Sequence, residues 1–359
     1  MATESTLLVA AGGTGGHIFP GIAVADEVRR RDPSARIVFV GTPRGLEGRL
    51  VPRAGYELVM LPILPLNRVG ARGLAKGLLA LPGALLKALA LVRRRRPSAV
   101  LGVGGYAGGP LLLMAALLGV RTVILEPNAR PGFTNRVLRP FVRHAACSYE
   151  AARRQFGRKG VLTGNPVRGG FASLPARAHQ PPYTLLVFGG SQGSRVLNEA
   201  MAAALPHLPP ADTLRIVHQT GEAALDEVRA AYAAAGRDGD AVLPFLHDME
   251  ERFAGADLVA CRSGATTCAE LAVAGKASVL VPFARAADDH QRSNAVAMQE
   301  AGAAVMVEEH ELDGRRLAEA VRGVLLAPGR LEAMESAARG LGRADAAARV
   351  ADLLEGRAC

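Results

Sequence analysis

Short runs of Val, Ile, Leu and Ala alternate along the chain with longer stretches whose apolar residues recur at helical spacing. The runs at 6–11, 36–41, 99–103, 122–125 and 144–148, then at 184–188, 214–218, 241–244, 258–261, 278–281 and 304–307, predict strands. None alternates strictly between apolar and polar, which is how parallel strands covered on both faces read. Repeated strand-then-helix order implies an α/β architecture. The two halves open alike, with Thr6-Leu-Leu-Val-Ala-Ala-Gly-Gly-Thr-Gly-Gly in one and Thr184-Leu-Leu-Val-Phe-Gly-Gly-Ser-Gln-Gly in the other. Each is a strand running into a Gly-rich turn. The expected fold is therefore two Rossmann-like doubly wound domains facing a cleft at the carboxyl ends of their strands.

A chain of 359 residues suits two such domains. The Gly- and Pro-rich run from Gly164 to Pro182 reads as the linker, giving domains at 1–163 and 164–340 with a last helical stretch within 341–359. Charge separates the halves. Residues 1–163 carry 24 Lys and Arg against 8 Asp and Glu, and the remainder 19 against 25. No acid stands between Glu57 and Glu126. The first half is thus expected to meet something anionic, either nucleic acid or a membrane surface. Cys147, Cys261, Cys268 and Cys359 sit in no metal-ligand or C-x-x-C spacing and read as reduced, mostly buried thiols. Residues 1–5 have no basic residue, so no signal peptide is expected.

Gly12-Gly-Thr-Gly-Gly-His-Ile-Phe-Pro20 follows the first strand. Without Cβ atoms, backbone N–H groups approach an anion closely, and the helix behind adds a favourable dipole. Pro20 suits a first helical turn. Thr14, Gly15 and Gly16 are accordingly phosphate-binding candidates, and Ser191 sits in the matching loop Gly189-Gly-Ser-Gln-Gly193. The pattern is not G-x-G-x-x-G, because Ile18 holds the third glycine position. Val40-Gly-Thr-Pro ends the second strand without a carboxylate, and no G-K-[ST] loop exists. These facts weigh against nicotinamide dehydrogenases and P-loop enzymes. A lone Gly turn is often only a tight connection; two matching ones favour a diphosphate.

Eight segments read together. They are Gly12-Gly-Thr-Gly-Gly-His17, Gly104-Gly-Tyr106, Glu126-Pro-Asn128, Gly132-x-x-Asn135, Gly164-Asn-Pro-Val-Arg168, Gly189-Gly-Ser-Gln-Gly193, Arg262-Ser-Gly-Ala-Thr-Thr-Cys-Ala-Glu270, and Pro282-Phe with Asp289-His-Gln291 and Asn294-Ala295. Their order and spacing resemble the family of UDP-N-acetylglucosamine–N-acetylmuramyl-(pentapeptide) pyrophosphoryl-undecaprenol N-acetylglucosamine transferases over nearly the whole chain. The resemblance implies a GT-B glycosyltransferase fold, donor on the C-terminal domain, lipid acceptor on the N-terminal one, and a last helix that returns to the first domain. It implies inverting transfer of N-acetylglucosamine to the 4-hydroxyl of a polyprenyl-diphosphate-linked muramyl-pentapeptide, at the cytoplasmic face of the bacterial membrane, beside other cell-wall synthesis proteins. A transferase acting on diacylglycerol, a UDP-sugar 2-epimerase and a non-catalytic nucleotide-sugar-binding subunit are the alternatives.

Roles follow from chemistry and from the resemblance together. Backbone N–H groups at Ala265, with the Thr266 and Thr267 hydroxyls, can hold a diphosphate at a helix start. Glu270, one turn in, matches a ribose diol; the competing reading is a Thr267-x-x-Glu270 capping box. Arg168 resembles the family arginine near the donor, or forms a linker salt bridge. By resemblance, the Leu246 backbone reads uracil, His290 and Gln291 contact the sugar, Asn128 lies near its O4, and Asn135 belongs to the same substrate-binding set. Pro127 stands where the family has Gln. His17 is a general-base candidate with Glu126 the other, unless His17 only orients its loop. No metal or cofactor is demanded, although a divalent cation could stimulate; Asp238-Gly-Asp240 reads as a solvated turn. Residues 73–96 are Leu-rich and basic, broken by Pro82-Gly83, and too interrupted to span a bilayer. Leu78, Leu81 and Leu85 with Arg93, Arg94, Arg95 and Arg96 are expected to meet anionic lipid peripherally. Nucleic acid is disfavoured because no aromatic stacking platform accompanies the charge.

Overall fold

The computed structural model describes residues 5–12, 15–43, 45–63, 71–104, 108–175, 177–190, 192–286 and 289–357, without the side chains of residues 71, 73–75 and 78. The chain divides into two compact units, Met1–Arg168 with Arg343–Cys359, and Gly169–Gly342. The first seam falls after Arg168, inside the stretch read as linker, and the second just before the last helix.

The first unit contains β1 (Thr6–Ala11), α1 (Gly15–Arg31), β2 (Arg36–Gly41), α2 (Glu47–Arg53), β3 (Glu57–Met60), α3 (Ala71–Arg95), β4 (Ala99–Gly104), α4 (Gly108–Leu117), β5 (Arg121–Glu126), α5 (Phe133–Leu138), β6 (His144–Cys147), α6 (Glu150–Phe156) and β7 (Gly160–Leu162), and is completed by α14 (Ala346–Glu355). Its seven strands are parallel in the order β3-β2-β1-β4-β5-β6-β7. The apolar runs are explained by which way each side chain turns. Leu7 and Val9 pack with Ile18, Ile22 and Val28 of α1 and with Val350 and Leu354 of α14. Leu8 and Ala10 turn to the other face, against Leu91 and Val92 of α3 and Leu111 and Leu112 of α4. A strand buried on both sides has no polar face to alternate with.

The second unit contains β8 (Tyr183–Phe188), α7 (Arg195–Ala204), β9 (Leu214–Gln219), α8 (Leu225–Ala234), β10 (Ala241–Leu243), α9 (Met249–Gly255), β11 (Leu258–Cys261), α10 (Ala265–Ala274), β12 (Ser278–Leu280), α11 (His290–Glu300), β13 (Ala304–Met306), α12 (Gly314–Leu325) and α13 (Arg330–Leu341). Its sheet is also parallel, in the order β10-β9-β8-β11-β12-β13. Leu185 and Val187 of β8 pack with Leu197 and Met201 of α7 and Leu317 and Val321 of α12.

Two strands escaped the pattern reading. β3 carries Glu57 and a half-exposed face, and β7 is three half-buried residues beginning with Gly160. Both are edge strands, with one neighbour each and little apolar signal. Two boundary expectations shift as well. α1 begins at Gly15, so Pro20 lies inside it rather than in its first turn, and α3 continues through Pro82 and Gly83 as one helix. No helix among the described residues is long and apolar enough to cross a membrane. Cys147, Cys261 and Cys268 are free and buried, and burial holds the Cys147 and Cys268 thiols up at about 12; Cys359 lies outside the described residues. Asp240 is occupied by Arg237, at 3.2 Å, and by the Ile216 N–H, at 2.9 Å.

A polar clasp adds to the apolar contact of α14. Arg31 donates to Asp352 (2.7 Å), Glu355 (3.0 Å) and the Ala348 carbonyl (3.0 Å), while its Nε reaches Glu27 (2.7 Å). Arg31→Ala should strip three partly buried acids of their common partner and lower stability by about 1–3 kcal/mol, read as a lower urea midpoint.

A buried ring makes the second unit pH-sensitive. Asn198 donates to the Thr220 carbonyl (2.9 Å), so its amide oxygen faces His218 Nε2 (3.1 Å), and His218 Nδ1 accepts from the Tyr232 hydroxyl (3.1 Å). This neutral tautomer is fully used, and burial lowers the His218 pKa from 6.5 to about 4. Above pH 6.5 the ring is neutral in both states. As pH falls, the unfolded chain takes the proton first. Stability should therefore drain between about 6.5 and 4, by up to about 3 kcal/mol, in denaturant titrations across that range. His218→Asn should flatten that slope.

Candidate functional site

The strand order reverses between β1 and β4 in one unit and between β8 and β11 in the other. At such a point the connections leave for opposite faces and open a gap at the strands' carboxyl ends.

In the first unit, β1 delivers Gly12 and then His17 in the opening turn of α1. An added Cβ at Gly12 would lie 3.0 Å from Glu47 Oε1, and one at Gly41 would lie 2.5 Å from Glu47 Cγ. Glu47 is fully buried and accepts from the Thr42 N–H (2.7 Å) and hydroxyl (2.9 Å), which pins the turn beside the Gly loop. The His17 ring is half-buried against Gly104 at the end of β4. Gly104 holds φ at +116°, which favours glycine, and a Cβ there would come within 2.7 Å of His17 Cδ2.

Glu126 ends β5 at 1% exposure. One carboxylate oxygen accepts from the Asn128 N–H (3.1 Å) and side-chain amide (3.2 Å); the other accepts from the Gly132 N–H (2.9 Å) and Asn135 Nδ2 (2.9 Å). Burial pushes its pKa up, and the Asn135, Gly132 and Asn128 donors pull against that. A carboxylate closed in by four donors from its own loop is built to hold the loop. Asn135 is itself buried and also reaches the Leu125 carbonyl, so it acts through Glu126. Further along, the Arg168 guanidinium lies 4.9 Å over the Phe19 ring. That is a cation–π contact.

In the second unit one buried side chain ties the strand ends together. Arg262 is 9% exposed. Its Nε donates to Ser194 (3.1 Å), the cap of α7, and its Nη1 to Glu309 (2.6 Å) and to the Val281 and Pro282 carbonyls (3.3 and 3.2 Å). Its guanidinium also faces the Phe283 ring at 5.4 Å. Next in line, Ser263 donates to the Gln291 carbonyl (2.9 Å), and Asn294 donates to the Ser263 carbonyl (3.3 Å). The Gln291 amide oxygen accepts from the Phe283 N–H (3.0 Å). The loops after β8, β11 and β12 thus form one hydrogen-bonded assembly with the start of α11, where His290 is the first residue. The Gly loop after β8 fits because Gly193, at φ +75°, lies where a Cβ would meet the Thr220 carbonyl at 1.9 Å.

At the centre of that assembly, α10 begins with Gly264 as its N-cap, which has no side-chain oxygen to cover the first N–H groups. Ala265, Thr266 and Thr267 form the first turn. Thr266 and Glu270, four residues apart on one face, are 8% and 7% exposed. The capping-box reading of Thr267 and Glu270 fails, because Thr267 is already inside the helix. Leu246 follows β10 and is buried. Thr14 and Ser191 lie outside the described residues. Sequence reasoning missed the tying role of Arg262 and the parts played by Ser194 and Glu309; the signal was an arginine directly after an apolar strand and before Ser-Gly.

On the basic helix, Leu81 and Leu85 are half-buried, and the Leu78 side chain is outside the described set. Arg93, Arg94 and Arg96 are exposed, but Arg95 turns back onto Glu57. Arg95 is therefore corrected from lipid contact to an internal ion pair. Exposed large apolar residues include Leu79 (83%) and Leu86 (67%) on the same helix and Phe133 (47%) and Val137 (53%) on α5.

The Glycosyltransferase family 28 N-terminal domain matches residues 7–147, and the family 28 C-terminal domain matches residues 184–350. A protein of Myxococcus xanthus (strain DK1622), named UDP-N-acetylglucosamine--N-acetylmuramyl-(pentapeptide) pyrophosphoryl-undecaprenol N-acetylglucosamine transferase, is 47% identical over 97% of this chain and 91% of its own length. A relative with the same name in Anaeromyxobacter sp. (strain Fw109-5) is 47% identical over 97% of this chain and 92% of its own. Among solved structures, the crystal structure of Acinetobacter baumannii MurG superposes with a TM-score of 0.80 at 32% identity, covering 99% of this chain and 100% of that one.

Gly104→Ala tests the packing around His17. The new methyl should displace the imidazole and move its ring NMR resonances, while backbone strain lowers stability by about 1–3 kcal/mol.

Proposed function

The chain belongs to glycosyltransferase family 28, and we infer that it transfers N-acetylglucosamine from UDP-N-acetylglucosamine to the 4-hydroxyl of an undecaprenyl-diphosphate-linked N-acetylmuramyl-pentapeptide, forming a β-1,4 bond. The observation that carries this reading is 47% identity over 97% of the chain to a transferase of that name, across both family domains.

The division of labour in this reading draws on the α10 geometry and on the family resemblance. The uncapped start of α10 offers N–H groups and a positive dipole end to the UDP diphosphate, and Glu270 accepts from the ribose hydroxyls. The Leu246 backbone reads the uracil edge, the Ser191 loop makes the second donor contact, and His290 and the Gln291 amide nitrogen meet sugar hydroxyls. Arg262 touches none of these groups in this scheme; it fixes the loops that do. On the acceptor side, Thr14, Gly15 and Gly16 bind diphosphate; Asn128 presents its amide near O4 of the donor sugar, and Arg168, stacked on Phe19, supplies a fixed cation to offset the donor diphosphate charge.

His17 takes the proton as the acceptor O4 attacks the anomeric carbon. The bond from that carbon to the UDP oxygen breaks in the same displacement, and UDP leaves with the electron pair. The developing charge is met by the α10 N-terminus, so the scheme demands no metal, although a divalent cation could stimulate it. Glu126 is too enclosed to share this work and holds the Asn128 loop in place. The exposed Leu79, Leu86, Phe133 and Val137 with Arg93, Arg94 and Arg96 dock the protein on the anionic cytoplasmic leaflet; each basic residue near the surface contributes about 1 kcal/mol.

Incubation with radiolabelled UDP-N-acetylglucosamine and the lipid-linked muramyl-peptide should place label in the organic phase; label that stays aqueous refutes the reading. Glu270→Ala should weaken UDP binding by roughly 1.5–3 kcal/mol in calorimetry, and unchanged affinity would remove Glu270 from the ribose.

A further inference from the structure

An apolar cavity of about 180 Å³ lies in the first unit between α3, α4 and α5. Leu81 and Leu85 line it from α3, Leu113 from α4, and Phe133 and Val137 from α5; Thr134 is the polar residue among its described walls. A well-packed interior does not leave a void of this size beside half-exposed Phe and Val side chains. Phe133 and Val137, which line it, are themselves 47% and 53% exposed, so the cavity opens to the surface beside α5.

The short helix α5 joins this cavity to the acceptor loop. Asn135 faces inward to Glu126, two residues after Phe133 and two before Val137, which face the cavity. One helix thus has the Asn128 loop on one side and a hydrocarbon-lined hollow on the other. The charge around it suits an amphiphile with an anionic head. Lys76 and Lys87 on α3, and Arg136 on α5 with Arg139 just after it, are exposed, and Glu126 is the one acid between Glu57 and Glu150.

We propose that this cavity takes the diphosphate-proximal isoprene units of the lipid acceptor itself. The proposal rests on the transferase reading above and deepens it. A hydrocarbon chain tethered to a diphosphate already held by the neighbouring loops reaches the cavity at high effective concentration, an advantage that a free bilayer acyl chain lacks. The cavity is smaller than the roughly 300–1,000 Å³ of a drug-sized site, so it fits a short branched segment and leaves the rest of the chain in the membrane.

The test uses muramyl-peptide diphosphates bearing either a geranyl or a methyl group, supplied as monomers below any micelle-forming concentration and without vesicles. The wild-type protein should prefer the geranyl acceptor in kcat/KM by about tenfold or more, because burying a few methylenes suffices for that factor. Filling the cavity with Leu113→Phe from one wall, or with Leu85→Trp from the opposite wall, should bring the ratio close to one. Each variant is checked for an unfolding transition like that of the wild type. No chain preference in the wild type overturns the proposal, as does a preference that survives in a folded, filled variant. No chain preference in the wild type, together with reduced vesicle binding in the filled variants, assigns the cavity to bilayer lipid instead. If neither analogue nor the full-length lipid is glycosylated, the transferase reading has failed, and the assignment of the cavity falls with it.

Discussion

A pair of parallel strands cannot be closed by a tight turn. The chain has to cross over, and the crossing helix must cover a face of the sheet. Both sheets here are parallel throughout, so the central strands are roofed on two sides and every strand ends at the same edge of its sheet. This brings residues as distant in sequence as Gly12, Gly104 and Glu126 to one edge of one unit, and Ser194, Arg262 and Pro282 to one edge of the other. The interior is left to Leu, Val, Ile and Ala, and the chemistry is carried by the turns.

The two units solve the same problem with different side chains. Each needs its turns held still, and each does so by burying one polar group and surrounding it with local partners. In the first unit the group is Glu126, ringed by donors from its own loop; in the second it is Arg262, given a carboxylate, a hydroxyl and two carbonyls. Desolvating either group would be costly without those hydrogen bonds. Removing a partner therefore does more than weaken a contact, because it leaves a buried polar group unsatisfied. That makes these positions sensitive even though neither Arg262 nor Glu126 reaches substrate in the proposed scheme.

Where one face of the chain is strongly apolar, the sequence is legible. The strand runs in both sheets, the Gly turns and the helix after Arg262-Ser-Gly could be read directly. β3 and β7 could not, since an edge strand of three or four residues carries too few buried positions to leave a period. The Thr267-x-x-Glu270 string was ambiguous because capping chemistry and ribose chemistry want the same residue types. Only the start of α10 at Ala265 separates them. On α3, an arginine quartet looks uniform in sequence, yet Glu57 draws Arg95 inward from a strand edge that was itself unread. For the same reason, the outward leucines were not the ones marked by helical spacing. That periodicity finds the buried stripe, whereas Leu79 and Leu86 lie off it.

The return of α14 to the first unit has a consequence for how the molecule comes into being. The chain leaves that unit after Arg168 and re-enters it only at Arg343, so the groove awaiting Val350 and Leu354 stays bare while the intervening residues are being translated. Sequential maturation, with the earlier-made half finished before the later one emerges, is closed to this topology. A premature stop within the final codons would therefore harm the oldest part of the polypeptide. During synthesis, the nascent protein presents an apolar trough until those residues arrive.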